Sequence, residues 1–396
     1  MLLTRPSFPT AALGLGIAAA LLAPGTAVAA PSVTATRLPV PAGATSADVF
    51  DVNNAGVAVG YADVDGVSQA LRWSGTAVTR LPASAEYPKA SASRVTDRGQ
   101  VIGSIESLEP GYRLTRHWLP GGAAVDCVNA PSFPLGVLDA NERGDALLWS
   151  ISGPRRWTAT VCHPDGSSLA TNLASAYGIG DDGRVAGAQS GTAANGWNQV
   201  PTVVAADGTA TALPVPAPDT AGVAYDLGPA GAVVGAVGTT QLTPAPPTVF
   251  VPRVAVIWVG GRTVELGTLG GTTSRPADTG RAVNRIGDVI GTSTTASGQT
   301  HAFRWRAGRM TDLGTLGGTS STPTAVNDRG QVVGSSTTAS GATHAFLWTD
   351  GRMVDLGAPG GESSSAVDVN NAGVVVGTVR TSAGGSAPYR WTVRGS

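Results

Sequence analysis

The sequence predicts an all-β propeller of eight four-stranded blades, and three observations support this prediction. A short motif recurs along the chain at intervals of about 43 residues. Each copy contains four short runs of strand-forming residues separated by turn signals. No window shows a sustained helical period. Four antiparallel strands in roughly 40 to 50 residues match one propeller blade, whereas a solenoid would repeat every ~20 to 30 residues or use helices.

The repeat is clearest near the C-terminus, where three marks follow each other in a fixed order. The marks are Leu313-Gly-Thr-Leu-Gly-Gly, Asn327-Asp-Arg-Gly-Gln-Val-Val-Gly334 and His344-Ala-Phe-Leu-Trp348. Weaker copies upstream can be identified by one central glycine in each unit. In units 1 to 8 this glycine is Gly56, Gly99, Gly144, Gly183, Gly231, Gly287, Gly330 and Gly373. The repeat therefore spans the chain that follows the N-terminal leader.

Each unit places its first turn between the first and second strands. In five units an Asn stands three residues before the central glycine, at Asn53, Asn141, Asn284, Asn327 and Asn370. An Asn side chain accepts hydrogen bonds from the turn backbone, and the glycine takes the positive φ that closes the hairpin. The third strand carries the repeat tryptophan, at Trp73, Trp118, Trp157, Trp258, Trp305, Trp348 and Trp391. We expect these rings to fill the core between neighbouring blades.

Two further features predict how the blades pack and how the ring closes. Glycines that end the second strand, such as Gly334 and Gly377, suit positions where neighbouring blades approach closely near a crowded axis. Unit 8 ends after Trp391 without a fourth strand, whereas the segment 36–41 resembles the fourth strands of other units. We therefore expect the N-terminal strand to pair with the strand around Trp391 and complete the last blade.

The three marks resemble the HAF family, a family of bacterial extracellular repeats named after the His-Ala-Phe tripeptide. The match is close in units 6 and 7. It is partial in unit 8, where Ala387-Pro-Tyr-Arg-Trp391 replaces the tripeptide. In units 1 to 5 only a few key positions match. The resemblance implies an exported repeat protein. It carries no catalytic residues and no activity over to this chain.

The first 30 residues have the layout of a secretory signal peptide. Arg5 precedes an apolar run over 11–23, which is followed by a helix-breaking Pro-Gly pair and small residues that end at Ala29. A membrane anchor is the alternative, but the run is shorter than the ~20 residues that a span needs. We expect a signal peptide over 1–29, a single propeller domain over 30–396, a secreted product and no membrane span.

Composition excludes some functions and leaves others open. The 396-residue chain has 26 basic and 27 acidic residues, so it lacks the basic excess that a nucleic-acid-binding protein needs. Export places Cys127 and Cys162 in an oxidising compartment, where they either form a disulfide between units 2 and 3 or remain two buried thiols. The favoured interpretation is the disulfide.

Several short patterns imitate known sites. The run from Gly178 to Gly183 spells a dinucleotide fingerprint, but a strand rather than a helix follows it. The run Asp63-Val-Asp-Gly66 lacks the later ligands of a calcium loop, and His163 beside Cys162 lacks the partners of a zinc site. The sequence thus predicts no catalytic residue, no metal and no cofactor. His301 and His344 recur at equivalent positions, which favours a role in the fold.

The function predicted from these features is that of a monomeric binding or interaction module. Its ligand would be a glycan, a wall component or another extracellular protein. An extracellular propeller enzyme, a hydrolase or lyase acting on a polymer, is the first alternative, and a purely structural surface protein is the second. The stretch from Thr239 to Arg253, rich in Pro and Thr, departs most from the repeat, and we expect a surface loop without regular structure there.

Overall fold

Antiparallel β-strands make up nearly all of the regular structure. A computed structural model describes residues 31–109, 112–127, 134–151, 157–191, 198–242, 248–382 and 384–394. The predicted signal peptide lies outside these residues. Within them, helical structure is limited to a 3-10 turn at Pro229–Gly231. No helix in these ranges is both long and apolar enough to span a membrane.

The strands follow the predicted repeat, four per unit, with one strand ahead of unit 1. That leading strand is β1 (Ser32–Arg37). Unit 1 contains β2 (Ala44–Val52), β3 (Val57–Val64), β4 (Val67–Ser74) and β5 (Ala77–Arg80); unit 2 contains β6 (Lys89–Val95), β7 (Val101–Glu106), β8 (Arg113–Trp118) and β9 (Ala124–Asp126). Unit 3 contains β10 (Pro134–Ala140), β11 (Ala146–Ile151), β12 (Trp157–Cys162) and β13 (Ser168–Ala170); unit 4 contains β14 (Ser175–Ile179), β15 (Val185–Ser190), β16 (Gln199–Val204) and β17 (Ala210–Ala212).

The second half repeats this pattern, and unit 8 has three strands of its own. Unit 5 contains β18 (Ala221–Leu227), β19 (Val233–Leu242), β20 (Thr248–Val259) and β21 (Arg262–Gly267); unit 6 contains β22 (Gly270–Pro276), β23 (Val289–Thr295), β24 (Thr300–Arg306) and β25 (Arg309–Asp312). Unit 7 contains β26 (Gly317–Val326), β27 (Val332–Thr338), β28 (Thr343–Thr349) and β29 (Arg352–Gly357); unit 8 contains β30 (Ser363–Val369), β31 (Val374–Arg380) and β32 (Ser386–Arg394).

These strands form seven hydrogen-bonded sheets rather than eight separate ones. Units 1 to 5 each form a sheet of four strands in sequence order. Units 6 and 7 share one sheet of eight strands, because β24 and β26 touch through a single parallel pair, Thr300 and Ser320. The remaining sheet has the order β1, β32, β31, β30, with Ala35 opposite Trp391. The backbone N–H of Leu38 continues this pairing by donating to the Pro388 carbonyl at 2.9 Å.

Six of the seven repeat tryptophans pack between consecutive units, as expected, while the side chain of Trp157 lies outside the described part of the chain. Trp118 of unit 2 is buried with Val59 and Leu81 of unit 1, and its indole N–H donates to the Pro82 carbonyl at 2.8 Å. Trp73 of unit 1 makes the equivalent bond at 2.6 Å to Pro39, which follows β1. Each of these rings therefore covers the outer strand of the preceding unit.

Gly334 and Gly377, expected to end the second strand, lie within β27 and β31 and have a different role from the predicted one. A side chain at Gly334 would overlap the carbonyl oxygen of Thr322, and one at Gly377 would overlap that of Ser365. Both oxygens belong to the first strand of the same unit, next to a shift in strand register. The crowding therefore comes from a β-bulge within the unit, not from a neighbouring blade.

The stretch from Thr239 to Arg253 is not the irregular loop that its composition suggests. β19 and β20 extend into it and pair from Gly238 with Pro252 to Leu242 with Thr248, while residues 243–247 lie outside the described ranges. The run from Thr248 to Val251 consists of β-branched and aromatic residues, which favour strands. This preference sustains an antiparallel ladder despite the nearby prolines. Unit 5 thus carries a projecting hairpin.

Cys127 and Cys162 join sulfur to sulfur across the seam between units 2 and 3. Their Cα atoms lie 6.1 Å apart, within the usual range for a disulfide, and both side chains are buried. We expect the protein, purified without reductant, to show no free thiol when it is unfolded. Reduction should lower the free energy of unfolding by about 3 to 4 kcal/mol. Labelling of two thiols in the unreduced, unfolded protein would contradict the bridge.

Candidate functional site

The first turns of the units converge on a cavity of about 480 Å³, which we call the acidic mouth. Nine acidic side chains and four arginines line it. The acidic residues are Asp51, Asp97, Asp139, Glu142, Asp181, Asp182, Asp226, Asp328 and Asp368. The formal charge of the lining is therefore −5, although the whole chain carries only −1. The acidity of this protein is thus concentrated at one end of the channel.

Four aspartates on the first strands link consecutive units. Each carboxylate accepts a hydrogen bond from a backbone N–H of the following unit. The pairs are Val95 to Asp51 at 2.7 Å, Ile179 to Asp139 at 3.0 Å, Val283 to Asp226 at 3.1 Å and Val52 to Asp368 at 3.1 Å. The last pair connects unit 8 to unit 1. These carboxylates hold the inner strands together and also line the cavity.

The turn asparagines add a second set of links. Each side-chain amide accepts from its own turn and donates to a carbonyl of the next turn. The donor contacts are Asn53 to Thr96, Asn141 to Gly180, Asn284 to Asn327, Asn327 to Asn370 and Asn370 to Asn53, at 2.7 to 3.0 Å. Sequence reasoning explained the asparagines by their own turns only, and it missed this contact between units.

A series of hydrogen bonds between consecutive units surrounds the acidic mouth, and it is interrupted at unit 5. In units 1, 2, 3, 6, 7 and 8 the second residue of the first turn donates its backbone N–H to the equivalent side chain of the next unit, for example Asn54 to Asp97 at 2.8 Å. Unit 5 has Pro229 at this position, which lacks both the N–H and an acceptor side chain. Arg285 of unit 6 reaches back past it toward Asp181 of unit 4, at 3.9 Å.

A four-residue insertion in unit 6 reaches toward several other units. Pro276 and Asn284 are eight residues apart, whereas the equivalent Pro323 and Asn327 of unit 7 are four apart. The extra residues fall within 277–281, which we call the plug loop. Its Thr279 hydroxyl donates to the Thr324 carbonyl at 2.8 Å, and a side chain at Gly280 would meet the Asp139 carboxylate of unit 3. The loop therefore reaches across the axis.

Arg281 at the end of the plug loop pairs with carboxylates from two other units. Its guanidinium lies 2.7 Å from Asp51 of unit 1 and 2.8 Å from Asp368 of unit 8, and its side chain is 19% exposed. Burial opposes ionisation of Asp51, but Arg281, the hydrogen bond with Asp368, Arg94 and the Val95 N–H together outweigh burial and hold the pKa of Asp51 below its ordinary value. Burial and the nearby charge of Asp51 raise the pKa of Asp368 to about 6, despite Arg281.

The other two aspartates also have raised pKa values. Burial raises the pKa of Asp139 to about 6, although Arg94 lies 3.5 Å away. Burial and then the charge of Asp139 raise the pKa of Asp226 to about 7. Asp226 has no arginine partner among the ion pairs of the described residues. It remains the least acidic carboxyl group of the mouth.

These raised pKa values predict that acid stabilises the fold. The unfolded chain releases these protons near pH 3.8, whereas the folded chain keeps them to about pH 6 or 7, so raising the pH through this window favours unfolding. For Asp226 alone, the free energy of unfolding falls by an amount on the order of 4 kcal/mol across this window. We expect the free energy of unfolding, measured with denaturant, to fall between pH 4.5 and 8. Asp226→Asn should flatten the slope, and an equal slope in both proteins would contradict the assignment.

On the other side of the plug loop lies a second cavity of about 560 Å³, the aromatic chamber. Half-buried rings of Phe50, Trp149 and Tyr177 line it, together with small apolar side chains. Arg94 and Arg281 line both cavities, so they form the partition between the acidic mouth and this chamber. The two cavities are therefore adjacent, with these two arginines between them.

The projecting hairpin of unit 5 supports one wall of the chamber. Phe250 and Tyr177 both pack against the buried cluster that contains Tyr225. The rings of Tyr177 and Tyr225 meet edge to face with centroids 4.8 Å apart. The strongest departure from the repeat therefore helps to position an aromatic side chain of the chamber.

The repeat histidines and the Asp63 run singled out in the sequence line neither cavity, whereas the run from Gly178 to Gly183 borders the acidic mouth. His301 and His344 pair with Asp312 and Asp355 on the neighbouring fourth strand, at 2.9 and 3.0 Å. Asp63 accepts hydrogen bonds from the hydroxyls of Ser46 and Ser68. The run from Gly178 to Gly183 forms the turn between β14 and β15, so the turn interpretation is confirmed.

His117 and His163 lie near the disulfide. Burial lowers the pKa of His117 to about 4, and one ring nitrogen is 3.4 Å from the Cys162 sulfur. His163 pairs with Asp145 at 2.8 Å. Across the described ranges no three His, Cys, Asp or Glu side chains form a group that could hold a metal ion.

Comparison with known proteins supports the fold and no particular activity. No family model matches the chain, and no curated protein does. A streptogramin B lyase structure aligns over 91% of this chain and 98% of its own, with 11% identity and a TM-score of 0.46. Virginiamycin B lyase from Staphylococcus aureus aligns over 92% and 99%, with 12% identity and a TM-score of 0.43.

Dipeptidyl peptidase 4 from Porphyromonas gingivalis is the third similar structure. It aligns over 87% of this chain with 10% identity and a TM-score of 0.51, and this chain covers 58% of it. Of the three, only the peptidase exceeds a TM-score of 0.5. The similarity to this peptidase, a propeller-fold protein, supports a propeller-like, all-β architecture.

Proposed function

We propose that this chain is an exported binding module, built as one closed ring of eight blades, with its ligand site in the aromatic chamber. The observation that carries the proposal is the plug loop, which converts the channel into a chamber closed at one end and lined with aromatic side chains. A chamber of about 560 Å³ lies within the ~300 to 1,000 Å³ range typical of ligand pockets. The signal-peptide pattern and the HAF resemblance support export.

Contacts between the first and last units support the closed ring. Asn370 donates to Asn53, Val52 donates to Asp368, and Asn371 donates its backbone N–H to the Asn54 side chain at 2.8 Å. These are the same contacts that join other consecutive units. Together with β1 as the outer strand of unit 8, they make units 8 and 1 equivalent to any other neighbouring pair.

The inner aspartates of the acidic mouth already form bonds that hold the fold together. This favours a binding function over a catalytic one. Each inner aspartate accepts a backbone N–H of the next unit, and Asp51 and Asp368 also neutralise Arg281. In the chamber, the ring of Phe50 stacks on Tyr61 with centroids 5.7 Å apart. The chamber therefore offers aromatic surface to a ligand, whereas the inner aspartates of the mouth are already bonded within the fold.

The test is a binding screen with the mature protein, using glycans, wall fragments and short peptides. We expect a ligand whose affinity falls about ten-fold or more in Trp149→Ala. The matched control is Tyr112→Ala, which removes an aromatic ring that is 58% exposed and far from the lining of either cavity. Equal effects of the two substitutions, or no ligand from any class, would contradict the proposal.

A second candidate, an extracellular lyase or hydrolase, is favoured by one observation. Asp226, with a pKa of about 7, and Asp139, with a pKa of about 6, line the same cavity and could exchange a proton near neutral pH. Turnover of a polymer that is lost in Asp226→Asn, with binding in the chamber retained, would favour this enzyme.

A further inference from the structure

We infer that the aromatic chamber takes the uncharged end of a saccharide chain. This inference rests on the proposed function, and it names the class of ligand. It is argued from three properties of the chamber: its aromatic walls, the balanced charge of its partition and its closed inner end.

The walls provide flat apolar surfaces. Phe50, Trp149 and Tyr177 come from units 1, 3 and 4, and each ring is half-buried, so part of its surface remains available. Val137 and Leu138 extend the apolar lining between them. A pyranose ring has one face of C–H groups that packs on an aromatic ring while its hydroxyls point sideways. Rings on several sides therefore suit a sugar.

The partition carries no net positive charge, although two arginines form it. Arg281 is neutralised by Asp51 and Asp368, and Arg94 lies 3.5 Å from Asp139. An anionic ligand would find both guanidinium groups already paired with carboxylates. A cationic ligand would meet these guanidinium groups, and the Asp278 carboxylate in the chamber lining already lies 3.5 Å from Arg275. An uncharged ligand neither competes with these ion pairs nor brings a positive charge close to the guanidinium groups.

The polar groups of the partition can both donate to and accept from hydroxyl groups. The Nη1 and Nη2 atoms of Arg94 each donate to a backbone carbonyl, of Ser93 and Leu138, and each of these nitrogens carries a second N–H that can donate to a hydroxyl. The Thr279 and Thr324 hydroxyls each donate to a carbonyl, and their lone pairs can still accept. A sugar hydroxyl both donates and accepts, so it matches a mixed set of this kind better than a purely apolar molecule does.

The plug loop decides how the saccharide enters. Because Arg281 and Gly280 cross the axis, a chain cannot pass from the chamber into the acidic mouth. The chamber therefore accepts a terminal sugar and excludes the middle of a continuous chain. Linear oligosaccharides should bind, and cyclic ones without an end should not.

The experiment titrates the mature protein with linear tetraoses of glucose, mannose and N-acetylglucosamine. Parallel titrations use the same chains ending in a uronic acid, the cyclic glucan α-cyclodextrin, and the non-sugars benzoate and benzylamine. Isothermal calorimetry gives the affinity, and fluorescence reports on Trp149. We expect at least one uncharged tetraose to bind, with about ten-fold loss in Trp149→Ala or Tyr177→Ala and little loss in Tyr112→Ala.

The outcomes separate this inference from the proposed function. If the uronic acid chains or α-cyclodextrin bind as tightly as the uncharged linear chain, the inference is wrong. If only benzoate or benzylamine binds, and Trp149→Ala weakens it, the saccharide class is wrong while the proposed function stands. If no probe binds in a way that depends on Trp149 or Tyr177, both are wrong.

Discussion

Replacing Arg281 by methionine should destabilise the protein by about 3 to 5 kcal/mol. The substitution keeps much of the side-chain volume but leaves Asp51 and Asp368 as buried carboxylates without their counter-charge. Chemical denaturation at pH 7.5 measures the loss. The loss should shrink at pH 5, because Asp368 is then protonated and no longer needs the guanidinium.

Arg285→Met provides a matched control from the same unit. Arg285 is 60% exposed, and its ion pair with Asp181 spans 3.9 Å, so its removal should cost about 0 to 1 kcal/mol. Asp368→Asn in the Arg281→Met background should recover part of the lost stability, because it removes one unpaired charge. Equal losses for the two arginine variants would show that Arg281 does not hold the channel closed.

Deleting residues 31–42 should have the second large effect, a loss of about 5 kcal/mol or more. The deletion removes the six-residue pairing of β1 with β32, and it removes Leu38, which is 3% exposed between units 8 and 1. It also removes the Pro39 carbonyl that accepts from the Trp73 indole. The exposed edge of β32 should then promote aggregation, which size-exclusion chromatography would detect.

Two single substitutions distinguish the contribution of side-chain packing to stability from the contribution of the β1–β32 hydrogen bonds. Leu38→Ala alone should cost about 2 to 5 kcal/mol, since it leaves a cavity in the seam. Arg37→Ala, one residue earlier and exposed, should change stability by about 0.5 kcal/mol or less. An unchanged melting temperature after the deletion would contradict a ring that is closed by the N-terminal strand.

The strand content and the tryptophan cores could be predicted from sequence because they repeat. A tryptophan or asparagine that recurs in the same slot has the same local geometry in each unit, so one interpretation serves all of them. The pairing of β1 followed from the missing strand of unit 8. The register bulges opposite Gly334 and Gly377 were not predictable in this way, because they depend on the backbone of a second strand.

The candidate site could not be predicted, because it lies where the repeat is broken. The plug loop adds four residues to unit 6, and the only signal is that Leu266 and Leu313 are 47 residues apart while His301 and His344 are 43 apart. Arg281 has no equivalent in other units, and its partners come from units 1 and 8. A spacing of this kind shows an insertion, but it does not show that the insertion turns inward.

Hydrogen exchange of the mature protein, with and without the tightest ligand from the binding screen, tests the central claim most directly. A ligand in the aromatic chamber should slow exchange of the backbone amides at 137–138, 175–177 and 278–281, which surround it. The turns of the acidic mouth at 181–184 and 228–231 should exchange as before. Protection of those turns instead, with none at the plug loop, would contradict a ligand site in the chamber.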